Sequence, residues 1–267
     1  ELAGAIALNA VTFNLARAVG PVLGAFVIDR LGIAWAFALN SCSYLALVVA
    51  LFVVHPRPQG ARPAERPRLR ESLRLLRTDA YLVALLVAVM ALSLTADPVN
   101  TLTPGFVTRV FHRPDTLVGI LVGAFGVGSV CAAFFAVRPP ADVIGRLSRT
   151  LAVLGAGMVT FAAAPGLPFA LVALLVAGFG YLASNTTATT AIQLGVDDSQ
   201  RGRVMALWSV AFLGIRPFGS LADGGVAAGV GLRPAAALMG VPALAAAAWL
   251  ALRPVHRPSP AARDTRA

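Results

Sequence analysis

Four charged side chains stand inside long apolar runs of this sequence: Arg17, Asp97, Arg216 and Asp223. A charge surrounded by hydrocarbon is costly, so residues of this kind mark ion, proton or substrate routes, or tie helices together. Arg17 lies about 20 Å along a helix beginning near Ala3, at roughly 1.5 Å per residue. Asn14 and Gly20 share its face at i−3 and i+3. Two readings stand for Arg17 and Arg216: they face a cavity and bind an anionic group or an acidic partner, or they bond carbonyls and polar side chains and hold the bundle. Asp97 is followed by Pro98 and Asn100. Proline there frees a backbone carbonyl and permits a kink, which suits a gate lining a cavity. The alternative is the polar end of a helix near the interface, and the same pair of readings applies to Asp223. Of the two acids, Asp97 is the preferred proton carrier. A stripe of Thr186, Thr189, Thr190 and Gln193, with Asn185 beside it, follows helical spacing. It either lines a cavity with hydrogen-bonding groups or packs helices.

Other chemistry finds no support. HExxH, GxSxG and the phosphate-binding GxxxxGK[ST] are absent, so the reading is not an enzyme and involves no cofactor. Cys42 and Cys131 lie inside apolar runs without CxxC spacing or a nearby His, which gives no metal or redox site. Gly119 and Gly123 form a GxxxG pair that predicts close helix packing.

The elements that must position these residues are transmembrane helices. Hydrophobic residues make up 58% of the chain and charged residues 13%, about half the share of a soluble domain. Mean hydropathy is +0.78, and the apolar runs reach the 18 or more residues needed to span about 30 Å of hydrocarbon. The expected fold is all-α, with about eight spans: 3–28, 33–54, 81–103, 117–137, 147–164, 167–194, 204–227 and 232–252. Pro165, Gly166 and Pro168 mark a tight turn between the fifth and sixth.

The net charge of +10 comes from arginine alone. Sixteen arginines fall in alternate loops and the tail, four in the opposite loops, and Arg17 and Arg216 inside helices. That asymmetry places both termini in the cytoplasm. The arginines orient helices and meet anionic headgroups, and a nucleic-acid partner is not expected. Residues 55–80 form the one long connection. Its Pro- and Arg-rich start should be extended, and 69–76 is either a basic amphipathic helix on the membrane surface or a solvated linker.

A shift of 199 positions superposes the first helical pair on the last without gaps. Phe13 meets Phe212, Arg17 meets Arg216, Gly20 meets Gly219 and Gly32 meets Gly231. The copies run parallel and lie six helices apart, as in two six-helix halves related by an axis along the membrane normal. The expected organisation is 1–54, the last two helices of the first half; 55–80, the interdomain loop; 81–252, the second half; and 253–267, a basic cytoplasmic tail. Four helices would precede residue 1.

Three stretches carry a family resemblance. The segment from Ala7 to Ala25 resembles the fifth helix of the major facilitator superfamily's enterobactin-exporter-like, or transmembrane secretion effector, branch. Within it, Gly20-Pro21-Val22-Leu23-Gly24 is similar to the antiporter motif GPxxGG, with Ala25 in place of the last glycine. Arg201-Gly202-Arg203-Val204-Met205-Ala206-Leu207 resembles the start of that family's eleventh helix. Asp142-Val143-Ile144-Gly145-Arg146 is similar to a degenerate copy of the cytoplasmic gate motif D-R-x-G-R, with Val143 replacing its first arginine. The resemblance implies alternating access in a bacterial inner membrane. It also implies export of a drug-like molecule or secreted metabolite, usually driven by proton influx. The alternatives are a facilitator or importer on the same fold without proton coupling, or a truncated membrane protein that does not transport.

Overall fold

A computed structural model describes residues 20, 23, 24, 26–28, 30–54, 76, 77, 79–135, 141–196 and 198–253. Within them the chain is helical and forms no strand. Six helices are long and apolar enough to cross a membrane, and a seventh, Leu117–Phe135, is shorter. Most of the first expected span lies outside the described residues, as do Asn14, Arg17, Pro21, the 69–75 stretch and the tail beyond 253.

The helices used below are α1 (Ile33–Val53), α2 (Ala80–Ala96), α3 (Leu117–Phe135), α4 (Val143–Ala163), α5 (Leu167–Gly195), α6 (Asp198–Ser209), α7 (Arg216–Val230) and α8 (Leu232–Leu252). Asp79 caps α2 by accepting from the Leu82 N–H at 2.9 Å, and Asp142 caps α4 by accepting from the Gly145 N–H at 2.9 Å. Each cap satisfies one of the donors a helix start leaves unpaired. Helix α2 is apolar all round and buried on most of its surface, so it forms the centre of the α2–α8 bundle. Among the described residues, none in helix α1 is buried.

The fifth span starts four residues before its expected 147, at Val143, where Asp142 caps it, and two others depart further. The third does not stop at Thr103. It continues through short helical pieces, Pro98–Thr101 and Thr103–Gly105, into a π-helical turn at Phe106–Val110. Pro98 and Pro104 lack N–H donors and interrupt the ladder without ending the helix. The seventh begins at α6 and passes through a π-turn, Val210–Gly214, before resuming as α7. π-turns inside helices commonly sit at functional sites.

Small residues set the packing. A Cβ on Gly128 would lie 1.9 Å from the Leu175 carbonyl oxygen, and one on Gly178 would lie 1.9 Å from that of Phe125. Helices α3 and α5 therefore touch backbone to backbone, further along α3 than the GxxxG pair had suggested. Ser129 adds a hydroxyl donation to the Gly178 carbonyl at 3.1 Å. On the other side, Ser148 donates to Ala247 O at 2.8 Å and Ser184 donates to Thr150 Oγ1 at 2.8 Å. In lipid, such approaches and interhelical hydroxyl bonds take over the role of hydrophobic burial.

The turns into α1 and α8 match at the 199-residue offset. Gly32 has φ 89° and ψ 166°, and Gly231 has φ 96° and ψ 168°. Each donates its N–H to the residue four back, Ile28 O at 3.0 Å and Ala227 O at 3.1 Å. Glycine tolerates this positive φ at little cost.

Candidate functional site: charges between two interrupted helices

The two interruptions face each other. Asp97 occupies the break after α2, and Arg216 begins α7 directly after the second π-turn. The Arg216 Nε lies 3.5 Å from Asp97 Oδ1. Asp97 Oδ2 accepts from the Ser220 hydroxyl at 2.5 Å. Thr101 Oγ1 lies 2.5 Å from Asp223 Oδ2 and 3.3 Å from the Asp97 carbonyl oxygen. Asp97 is 5% exposed and Asp223 0%, whereas the Arg216 side chain keeps 30% of its surface open. Asp223 Oδ1 is buried without a hydrogen-bond partner among the described residues.

The local sequence explains the convergence. Arg216, Ser220 and Asp223 stand at i, i+4 and i+7 and share one face of α7, while Asp97 and Thr101 stand at i and i+4 across the break. Gly219 opens the space between them: a Cβ there would lie 3.4 Å from Asp97 Oδ2 and 3.2 Å from Leu94 Cδ2. The π-turn is held from α2, where buried Ser93 donates its hydroxyl to Phe212 O at 2.6 Å. Trp208 stacks on Phe212 at 4.8 Å, and the Arg216 guanidinium lies 5.8 Å from the Phe212 ring centre. Nearby, Thr95 Oγ1 accepts the Ala243 N–H at 3.1 Å, beside Pro242 in α8.

The expected residues divide. Asp97, Arg216 and Asp223 come together. Asn100, three residues on, is exposed. In the α5 stripe, Thr189 donates to Asn185 Oδ1 at 3.4 Å. Thr186 and Gln193 are half-buried and Thr190 is exposed. Asp142 spends its carboxylate on the cap of α4, and a Cβ on Gly145 would collide with that carboxylate. Arg146 is half-buried one residue on. Among the described residues, nothing lies within 4 Å of where a Cβ on Gly20 or Gly24 would stand. Ser220, Thr101 and Ser93 were not anticipated, although the first two stand four residues after a charge on the same face.

The cluster thus joins two carboxyl groups and one guanidinium between two interrupted apolar helices. The family model described as transmembrane secretion effector matches residues 1–266. The chain belongs to this family of the major facilitator superfamily. No curated protein gives a match. As a secretion-effector-family protein it is a membrane transporter, embedded in a bilayer and acting on a small molecule. In that setting the broken helices gain meaning, because irregular backbone at membrane depth is tolerated where it is buried in protein or lines a cavity.

Proposed function

We propose that this transporter exports an amphipathic drug-like molecule or secreted metabolite by alternating access, in exchange for protons. The Asp97–Arg216–Asp223 cluster carries the reading. It holds two carboxylates and one guanidinium within the membrane-spanning helices, so one further positive charge balances it. A single proton supplies that charge, and proton relays in membranes use such acids. In this proposal the protein sits in a bacterial inner membrane with both termini cytoplasmic. Residues 1–54 close one six-helix half, 55–80 connect the halves, and 81–252 form the other. The Asn185–Gln193 stripe, with Thr186, Thr189 and Thr190, lines the substrate route. Arg17, the repeat mate of Arg216, and Asn14 on its face belong to the transport route in the first half. Gly20, Pro21 and Gly24 seal the resting state, and Asp142, Gly145 and Arg146 serve the cytoplasmic gate.

The test uses the purified chain in vesicles with an imposed pH gradient and a fluorescent amphipathic dye as cargo. Dye movement should follow the gradient in the wild type. In Asp97→Asn it should fall to the level of protein-free vesicles. Transport indifferent to the gradient rejects proton exchange, and an Asp97→Asn variant that still responds to it removes Asp97 from the coupling.

A further inference from the structure

We infer that the exchangeable proton of this cluster resides on Asp223, bonded to Thr101, while Asp97 stays ionised as the partner of Arg216. The inference deepens the proposed exchange with protons and rests on that reading for its role in transport, but the proton's location stands on the unequal bonding of the two buried carboxyls. Thr101 Oγ1 lies within bonding distance of two oxygens, Asp223 Oδ2 at 2.5 Å and the Asp97 carbonyl at 3.3 Å. A hydroxyl has one hydrogen to give. The carbonyl already accepts the Asn100 N–H at 2.9 Å, so with Asp223 ionised the Thr101 hydrogen goes to Oδ2 and is the one donor that a buried carboxylate has among the described residues. With the proton on Asp223 Oδ2, the carboxyl donates to Thr101 and Thr101 donates to the carbonyl, so both bonds are made. The remaining oxygen, Oδ1, is buried with no partner among the described residues. An orphaned oxygen of a neutral acid is far cheaper than one sharing a full negative charge.

Asp97 is arranged in the opposite way. Each of its oxygens meets a donor or a cation: Ser220 Oγ at Oδ2, and Arg216 at Oδ1. Ser220 has one hydrogen and gives it to the carboxylate. The charged groups brought to Asp223 by the described residues are Asp97 from the broken span and Arg216 from its own helix. Arg233, on α8, is committed to Ala162 O at 2.8 Å. Asp97 and Arg216 cancel, and a neutral Asp223 leaves the cluster without net charge in the bilayer. Loading takes one proton from water to form the O–H bond on Asp223, and release returns it to water, with no other bond changed.

Infrared difference spectroscopy on the purified full chain in lipid nanodiscs reads this directly. A protonated carboxyl C=O band should be present, should lose intensity as pH rises and should shift in D2O. Thr101→Val should move that band to higher frequency, because it removes the partner of Asp223. Thr101→Ser should restore it, and Ser220→Ala should leave it in place. No protonated carboxyl band, a band that Ser220→Ala moves, or one that Thr101→Val leaves unmoved overturns the assignment. Because the band is read without transport, a dye assay blind to the pH gradient would sink the proposed exchange and leave this assignment standing.

Discussion

Arg216 has an anion at 3.5 Å, an aromatic face at 5.8 Å and a side chain that is 30% exposed. Removing one member of a buried pair strands the other, at a cost of about 3–5 kcal/mol for full burial. The exposure of Arg216 places Arg216→Gln below that range, at about 2 kcal/mol. The double variant Arg216→Gln/Asp97→Asn should recover most of it, since no charge is then left alone. Unfolding of the single and double variants in detergent micelles measures this, and a double variant as unstable as the single one would show that the pair is not the source. The three charges were legible in the sequence because ionised groups inside apolar runs are rare and expensive. Thr101 and Ser220 were not, because hydroxyls in membrane helices are common packing groups. Only the fold shows which of them reach a carboxylate.

At the scale of elements, most helix positions followed from hydropathy: α8 spans 232–252 as expected, and α1 and α5 differ by a residue at one end. The two largest departures have a common cause. Hydropathy is blind to how a helix absorbs a proline or an extra residue, so the π-turns at Phe106–Val110 and Val210–Gly214 left no trace in it. Helix contacts were equally hard to read, because the sequence contains many glycines, and only pairing selects those that matter. Gly178→Ala puts a methyl group 1.9 Å from a backbone oxygen of α3, where nothing flexible can yield. It should cost about 1–3 kcal/mol or more, the range for overpacking. Gly224→Ala has nothing within 4 Å of the new methyl, and should be neutral or stabilising, since alanine is better than glycine in a helix by up to about 1 kcal/mol. Melting temperatures of the two purified variants separate the cases. Equal melting would mean that α3 and α5 do not meet through this glycine.

For the whole molecule, the repeat and the arginine distribution bear on different questions. The matched turns at Gly32 and Gly231 concern how the chain is built. The sixteen-to-four bias of loop arginines concerns which way it faces. Orientation is the one global property that packing leaves undetermined, because an inverted bundle has the same internal contacts. It is set by the free energy of moving arginine across the bilayer during insertion. Helix α4 offers the sharpest test, since Ala141 and Gly166 flank it at opposite ends. In a background with Cys42 and Cys131 replaced by serine, Gly166→Cys should react with a membrane-impermeant maleimide added to intact cells. Ala141→Cys, close in sequence to Arg138 and Arg146, should react only after the cells are opened. The reverse pattern inverts the topology. Labelling of both sites from one side is incompatible with α4 as a crossing, and with it the parity that places both termini in the cytoplasm.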